Sequence, residues 1–237
     1  MRTLRHVSPL RQLRLAAVNI DGVLLNDTFS PVIHHFVTSR GGVYDVEVER
    51  AVFSQSRTSA ARALGAAAGV DWSPQKVLDV YFEERAAYLA RNPLQVSCGA
   101  EQLLSRLRSL GLRTICYGGL DKKHFDTHLG RYAHLFDGPG YICTNDFRPG
   151  IHEIAVDAFG LDYAQVLFID DVARVSEAAR DLRVPFIGHP SAFEHGYQGG
   201  LMRDAGVRHL VGSLDEIDEP LLRTLDTEAA EGRAWAA

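Results

Sequence analysis

Cysteine is scarce in this chain, three in 237 residues. Cys98, Cys116 and Cys143 are odd in number and lack the paired spacing of a metal knuckle. That pattern excludes a disulfide framework and a thiolate–zinc module, and a reduced, cytoplasmic setting is the expectation. Basic residues are outnumbered as well: 25 Lys and Arg against 30 Asp and Glu leave a formal net charge of -5, which argues against a broad nucleic-acid surface. No apolar run has the length of a membrane helix. Arg2, Arg5, Arg11 and Arg14 precede no continuous apolar stretch, so a solvated lead-in arm is expected there rather than a signal segment. Also missing are a GxGxxG dinucleotide loop, a nucleophile elbow around Ser54, Ser56, Ser59 or Cys98, internal repeats and low-complexity tracts. What remains is a chain 46% hydrophobic and 23% charged, able to bury a sizeable core, and of a length that suits one core domain carrying an insertion.

Against that background the stretch Val18-Asn19-Ile20-Asp21-Gly22-Val23-Leu24 carries the most information. An apolar run over 15–18 reads as a buried strand, and Asn19 and Asp21 then point to the same side at its carboxyl end. Gly22 lets the backbone turn sharply beside a ligand. The layout is that of an active-site loop with an amide where an attacking carboxylate would stand, and a carboxamide at neutral pH does not usefully attack phosphorus. Residues 30–91 read as mostly helical, with Ser73-Pro74 as a capped start for an amphipathic segment over 74–89. From Gly99 onward, helices are expected over 101–110, 121–129, 151–159 and 172–182. Short strands over 112–117, 141–143, 166–170, 185–187 and 209–211 alternate with them. This predicts an α/β fold, a doubly wound parallel sheet with a helical insert. The expected domains are a core over 1–27 and 97–237 and a helical cap over 28–96, with hinges over 26–30 and 92–99. The acidic, Ala-rich end over 215–237 is expected to be loosely ordered in its last dozen residues.

Ligands in open α/β sheets sit beyond the carboxyl ends of the strands, and three more spots fall there: Tyr117-Gly118-Gly119, Arg148-Pro149-Gly150 and Asp170-Asp171. Two vicinal carboxylates after an apolar strand are costly to bury without a cation, which points to a hard-cation site. The bland alternative has Asp171 capping the next helix and Asp170 solvated. In order and spacing these motifs resemble the haloacid dehalogenase (HAD) superfamily over nearly the whole chain. The resemblance implies a Rossmann-like core with an inserted helical cap and magnesium-dependent hydrolase chemistry. In phosphatases of that family the first Asp of Asp-x-Asp-Gly attacks phosphorus and ligates magnesium, while the second is general acid and base. A Ser or Thr after the second strand and a Lys hold the phosphoryl group, and later acids complete the metal shell.

Carried over residue by residue, Asp21 matches the general acid/base, Asp170 and Asp171 match metal carboxylates, and Arg148 stands where Lys is usual. Asn19 occupies the nucleophile position, which also belongs to the metal shell with Asp21. Tyr117 or Gly118 falls at the hydroxyl position, depending on alignment, and neither supplies a small hydroxyl. Val23 and Val175 stand where Thr and a polar residue are common. Deleting a covalent nucleophile removes on the order of 10⁶ in turnover. The expected cofactor is therefore magnesium, weakened or lost through Asn19; without it Arg148 would pair with Asp170 or Asp171. The expected function is that of a degenerate, pseudophosphatase-like HAD protein lacking ordinary phosphomonoesterase activity. It would bind a small, anionic molecule between core and cap, or a protein partner, or run altered chemistry through Asp21 and Tyr117. The alternative is an active magnesium-dependent phosphatase acting on a small phosphorylated metabolite. Neither nucleic acid nor membrane is an expected partner, while the apolar cap helices offer a homodimer surface.

Other residues are weighed against plainer readings. His124 and His128 are four apart beside Asp121 and Asp126, a spacing open to a transition metal but without an obvious third ligand. His34-His35 could face the cleft or simply start a surface helix. Arg57, Tyr81, Phe82 and Tyr88 could line a cap pocket, although aromatics at helical spacing are more often core. Gly41-Gly42 and Gly199-Gly200 read as turns.

Overall fold

Strand β1 (Leu15–Asn19) sends Leu15 and Ala17 to one face and Ala16 and Val18 to the other, and all four are fully buried. A strand apolar on both faces belongs inside a parallel sheet covered on both sides. The computed structural model, which describes residues 8–235, places it there. β2 (Arg113–Gly118) and β4 (Val166–Asp170) flank β1, and β3 (Tyr141–Cys143) and β5 (Phe186–Gly188) lie outside them. The order is β3-β2-β1-β4-β5 and every pairing is parallel. One face packs on α5 (Ala100–Ser109), α6 (Lys122–Leu129) and α9 (Glu219–Ala230). The other packs on α7 (Ala173–Asp181), α8 (Gln198–Asp204) and a π-helical turn, Glu153–Ala158.

Between β1 and α5 run α1 (Ser30–Thr38), α2 (Val46–Val52), α3 (Arg57–Ala67) and α4 (Pro74–Leu89), which bury their own apolar cluster around Phe36, Leu64, Val77 and Tyr81. The starts of α2, α3 and α4 are capped by short polar side chains: Asp45 accepts from the N–H groups of Glu47 and Val48, Ser56 from that of Ser59, and Ser73 from that of Lys76. The two connecting segments run side by side, with Leu25 bridged to Val96 and Gln95 N–H donating to Asn26 Oδ1 at 2.7 Å. Glu49 ties α2 to the core. This buried carboxylate accepts from Tyr44 Oη (2.6 Å), Tyr197 N–H (2.9 Å) and Gln198 Nε2 (2.7 Å), and Gln198 Oε1 accepts from Ala173 N–H at the start of α7 (2.7 Å).

The structure corrects several local expectations. Gly199 and Gly200 lie inside α8 rather than in a turn, because burial of Leu201 and Met202 and the two hydrogen bonds of Gln198 outweigh the glycines' preference. The expected strand over 209–211 is reduced to a single bridge between Leu210 and Gly188. The end of the chain is ordered through α9, and Trp235 Nε1 donates to Val184 O at 2.6 Å. Asp226 on α9 also gathers the N–H groups of Arg11, Gln12 and Leu13, each at 2.8 Å, so the backbone of the lead-in is anchored over 11–13 while Arg11 and Arg14 stay exposed. Arg2 and Arg5, like Ala236 and Ala237, lie outside the described residues. Among the described residues no helix is long and apolar enough to cross a membrane.

Candidate functional site

Register brings the site together. Asn19 pairs with Tyr117 across β1 and β2, and β4 runs on the other side of β1, so the strand ends deliver Asn19, Tyr117 and Asp170 to one edge. Asn19 Nδ2 lies 3.0 Å from Asp170 Oδ2 and 3.0 Å from Asp171 Oδ1 and donates to both. Reversing the amide would set its oxygen against two carboxylate oxygens, so electrostatics fixes this orientation. Tyr117 Oη donates to Asp170 Oδ2, and Val172 N–H donates to Asp170 Oδ1 at 2.7 Å. Asp170, rather than Asp171, therefore serves the start of α7. Asp171 lies against the turn at Gly22, where an added Cβ would fall 2.1 Å from Asp171 Oδ2 and where φ is +86°. Glycine is required at that position on both counts.

Burial governs the electrostatics. Desolvation lifts the Asp170 carboxyl above the ordinary carboxylate range, against the pull of its donors Tyr117 and Val172. Desolvation, reinforced by the charge of Asp170, lifts Asp171 well above it. The Tyr117 phenol is raised by burial and then by Asp170, so it remains a donor. Three protein donors, Asn19, Tyr117 and Val172, meet the pair, and the charge of Arg148 draws the Asp170 carboxyl back down, against desolvation.

Asp21 points elsewhere. Its Oδ1 lies 2.9 Å from His124 Nε2, and both side chains are nearly buried. The His124 ring is held in turn by an edge contact with His128, centroids 4.9 Å apart. The candidate transition-metal pair is therefore an acid–imidazole contact backed by a second imidazole. Among the described residues no three His, Cys, Asp or Glu side chains gather to hold a metal.

Arg148 does not join the acids. Among the described residues it makes no ion pair within 4.0 Å. Asn19 and Tyr117 already fill that space, and the guanidinium instead covers Gly119, where an added Cβ would fall 1.5 Å from its Nη2. Burial lowers the Arg148 guanidinium pKa, and its Nε has no partner. Arg57, from α3, donates through Nη2 to Gly119 O at 3.3 Å, so two cations converge on one backbone segment. At Gly118 a Cβ would meet Ile20 Cγ2 at 2.4 Å, which leaves no room for a serine. Two hydroxyls lie close by: Tyr141 Oη is 3.2 Å from that added Cβ, and Thr144 Oγ1 donates to Gly118 O at 3.1 Å.

These groups line a cavity of about 170 Å³ between the sheet edge and the helices α1–α4. Asn19, Asp21, Tyr117, Arg148, Asp170 and Asp171 form its polar side, and Phe53, Leu64, Leu78, Tyr81 and Phe82 contribute from the helices. Arg57, Tyr81 and Phe82 thus reach the cavity, whereas Tyr88 packs in the helical cluster. His34 does not face the cleft. It stacks on His195 at 4.4 Å and meets Tyr44 edge-on. Thr144 and Asp27 also line the cavity. Neither carries a sequence signal, and the sequence offers His124 only as half of a possible transition-metal pair with His128.

No protein-family profile matches the chain, and no curated protein matches it in sequence. Solved structures do. β-Phosphoglucomutase from Clostridium difficile superposes with a TM-score of 0.68 at 14% identity, covering 92% of this chain and 99% of that one. A haloacid dehalogenase-like protein of unknown function from Agrobacterium tumefaciens gives 0.64 at 19% identity, covering 91% and 100%. A predicted phosphoglycolate phosphatase from Haemophilus somnus gives 0.62 at 14%, covering 88% and 97%. At such identities the likeness establishes the fold, which is that of the HAD hydrolases.

Proposed function

We propose that this HAD-type fold no longer supports phosphoaspartyl chemistry and that its cleft binds a small organic anion between the sheet edge and the helical cap. One observation carries the reading: Asn19 Nδ2 donates to Asp170 and Asp171 together, so the residue in the nucleophile position acts as a clamp. Magnesium requires octahedral oxygen ligands at about 2.1 Å. Here the group presented by Asn19 is an N–H donor, and three of the four oxygens of the acid pair already accept from Asn19, Tyr117 or Val172. Asp21 is engaged by His124. These residues do not fit a magnesium ion.

The anion preference follows from Arg57 and Arg148. Both line the cavity, both lie at Gly119, and neither has a carboxylate within 4.0 Å among the described residues. Guanidinium groups in that state match the planar, bidentate geometry of a carboxylate or the oxygens of a phosphate. The 2.9 Å contact between Asp21 and His124 favours a second reading, in which the same cleft moves a proton on its ligand with Asp21 as acid or base and His124 as its partner.

Incubating the purified chain with magnesium and p-nitrophenyl phosphate tests the proposal. The expected result is no metal-dependent release of nitrophenol and no phosphoryl adduct by intact mass. Metal-dependent turnover, with asparagine verified at position 19 by peptide mass, would overturn it in favour of an active phosphatase.

A further inference from the structure

We infer that the body of the ligand is a single apolar ring seated against the helical insert, so that the cleft takes a cyclic or aromatic acid rather than a hydroxylated sugar acid or sugar phosphate. The inference deepens the proposed function and rests on it for the anionic head at Arg57 and Arg148.

The two walls of the cavity differ in chemistry. The sheet edge supplies polar groups, and most of these already serve one another. Asn19 Nδ2 donates to Asp170 and Asp171, Tyr117 Oη to Asp170 and Thr144 Oγ1 to Gly118 O, while Asp21 Oδ1 pairs with His124. The opposite wall is carbon. Phe29, Phe53, Leu78 and Phe82 all line the cavity and none of them is fully buried, so their apolar surface is there for a ligand to cover. The polar exceptions on that wall, Ser54, Gln55 and Arg57, are confined to the connection from α2 into α3.

Asp27 and Tyr81 line the cavity too, yet they add no polar subsite. Asp27 Oδ2 and Tyr81 Oη are enclosed by protein, out of a ligand's reach, and Asp27 Oδ1 accepts from the N–H groups of Phe29 (2.8 Å) and Ser30 (3.0 Å).

Volume sets the size of the body. An apolar cavity of about 150 Å³ holds one benzene molecule. The 170 Å³ here therefore suit one six-membered ring whose head lies at Gly119. Ring hydroxyls turned to Phe29, Leu78 or Phe82 would give up water and gain no partner, which weakens binding. Each methylene buried on the same wall strengthens it about fourfold.

Calorimetric titration of the full chain with cyclohexanecarboxylate and with glucuronate tests this, since the two share charge and ring size and differ chiefly in the ring hydroxyls. Benzylphosphonate and glucose 6-phosphate form the corresponding pair for a phosphorus head. In whichever pair binds, the apolar member is expected to bind about tenfold more tightly or better. Phe82 is 36% exposed, so Phe82→Ser is tolerable to the fold. It should weaken the apolar member severalfold and leave the sugar acid or sugar phosphate unchanged, and Leu78→Ser should act in the same direction. A hydroxylated member that binds as tightly as its apolar partner would overturn the ring subsite while leaving the anion-binding cleft standing. So would an unchanged preference in both variants. No binding of any of the four compounds at millimolar concentration would overturn the cleft and the subsite together.

Discussion

The side-chain amide of Asn19 bridges Asp170 and Asp171, its Nδ2 3.0 Å from an oxygen of each. A neutral group thereby supplies attraction to two buried acids whose charges would otherwise repel each other.

Asn19→Ala is expected to lose about 3 kcal/mol, because each hydrogen bond to a charged acceptor contributes about 1.5–3 kcal/mol and Asp171 Oδ1 is left without its donor, although Asp170 keeps Tyr117 and Val172. The urea midpoint measures it. A loss below about 1 kcal/mol would mean that the bridge is incidental.

The raised carboxyls of Asp170 and Asp171 make a signed prediction about pH. A carboxyl whose folded-state pKa lies above its unfolded value binds its proton more tightly when folded. Its contribution to stability is fully present below the unfolded pKa and is lost as pH rises through the folded one. Asp171→Asn removes one such group. Between roughly pH 4 and pH 7 its stability should therefore fall less steeply than that of the wild type. Parallel slopes in urea melts across that range would show that Asp171 is not titrating as its burial requires.

How much was legible beforehand depended on whether the signal was local. The strand ending at Asn19 and the strand ending at Asp170 were readable because buried parallel strands are continuous apolar runs. Asn19, Asp21, Tyr117, Asp170 and Asp171 were placed at one edge for the same reason. The partners were not readable. Whether Asp21 meets a metal or His124 depends on how α6 crosses the sheet edge, and whether Arg148 reaches the acids depends on whether Asn19 and Tyr117 have already saturated them. Tyr81 looked like one more core aromatic in an amphipathic helix, and only its unpartnered hydroxyl distinguishes it.

His124 should matter through its hydrogen bond. His124→Leu strands a nearly buried carboxylate at Asp21 and is expected to cost about 1–3 kcal/mol, whereas His124→Gln keeps a donor and should recover most of that. Thermal melts of the two variants decide between them, and equal losses would show that packing against His128, rather than the contact with Asp21, is what His124 provides.

Magnesium calorimetry on the wild type and on Asn19→Asp tests the central claim most directly. The account predicts no magnesium heat for the wild type, and for Asn19→Asp a protein destabilised in chelator that regains stability as magnesium binds its three carboxylates. Stoichiometric magnesium binding by the wild-type protein, with affinity equal to that of Asn19→Asp, would contradict it.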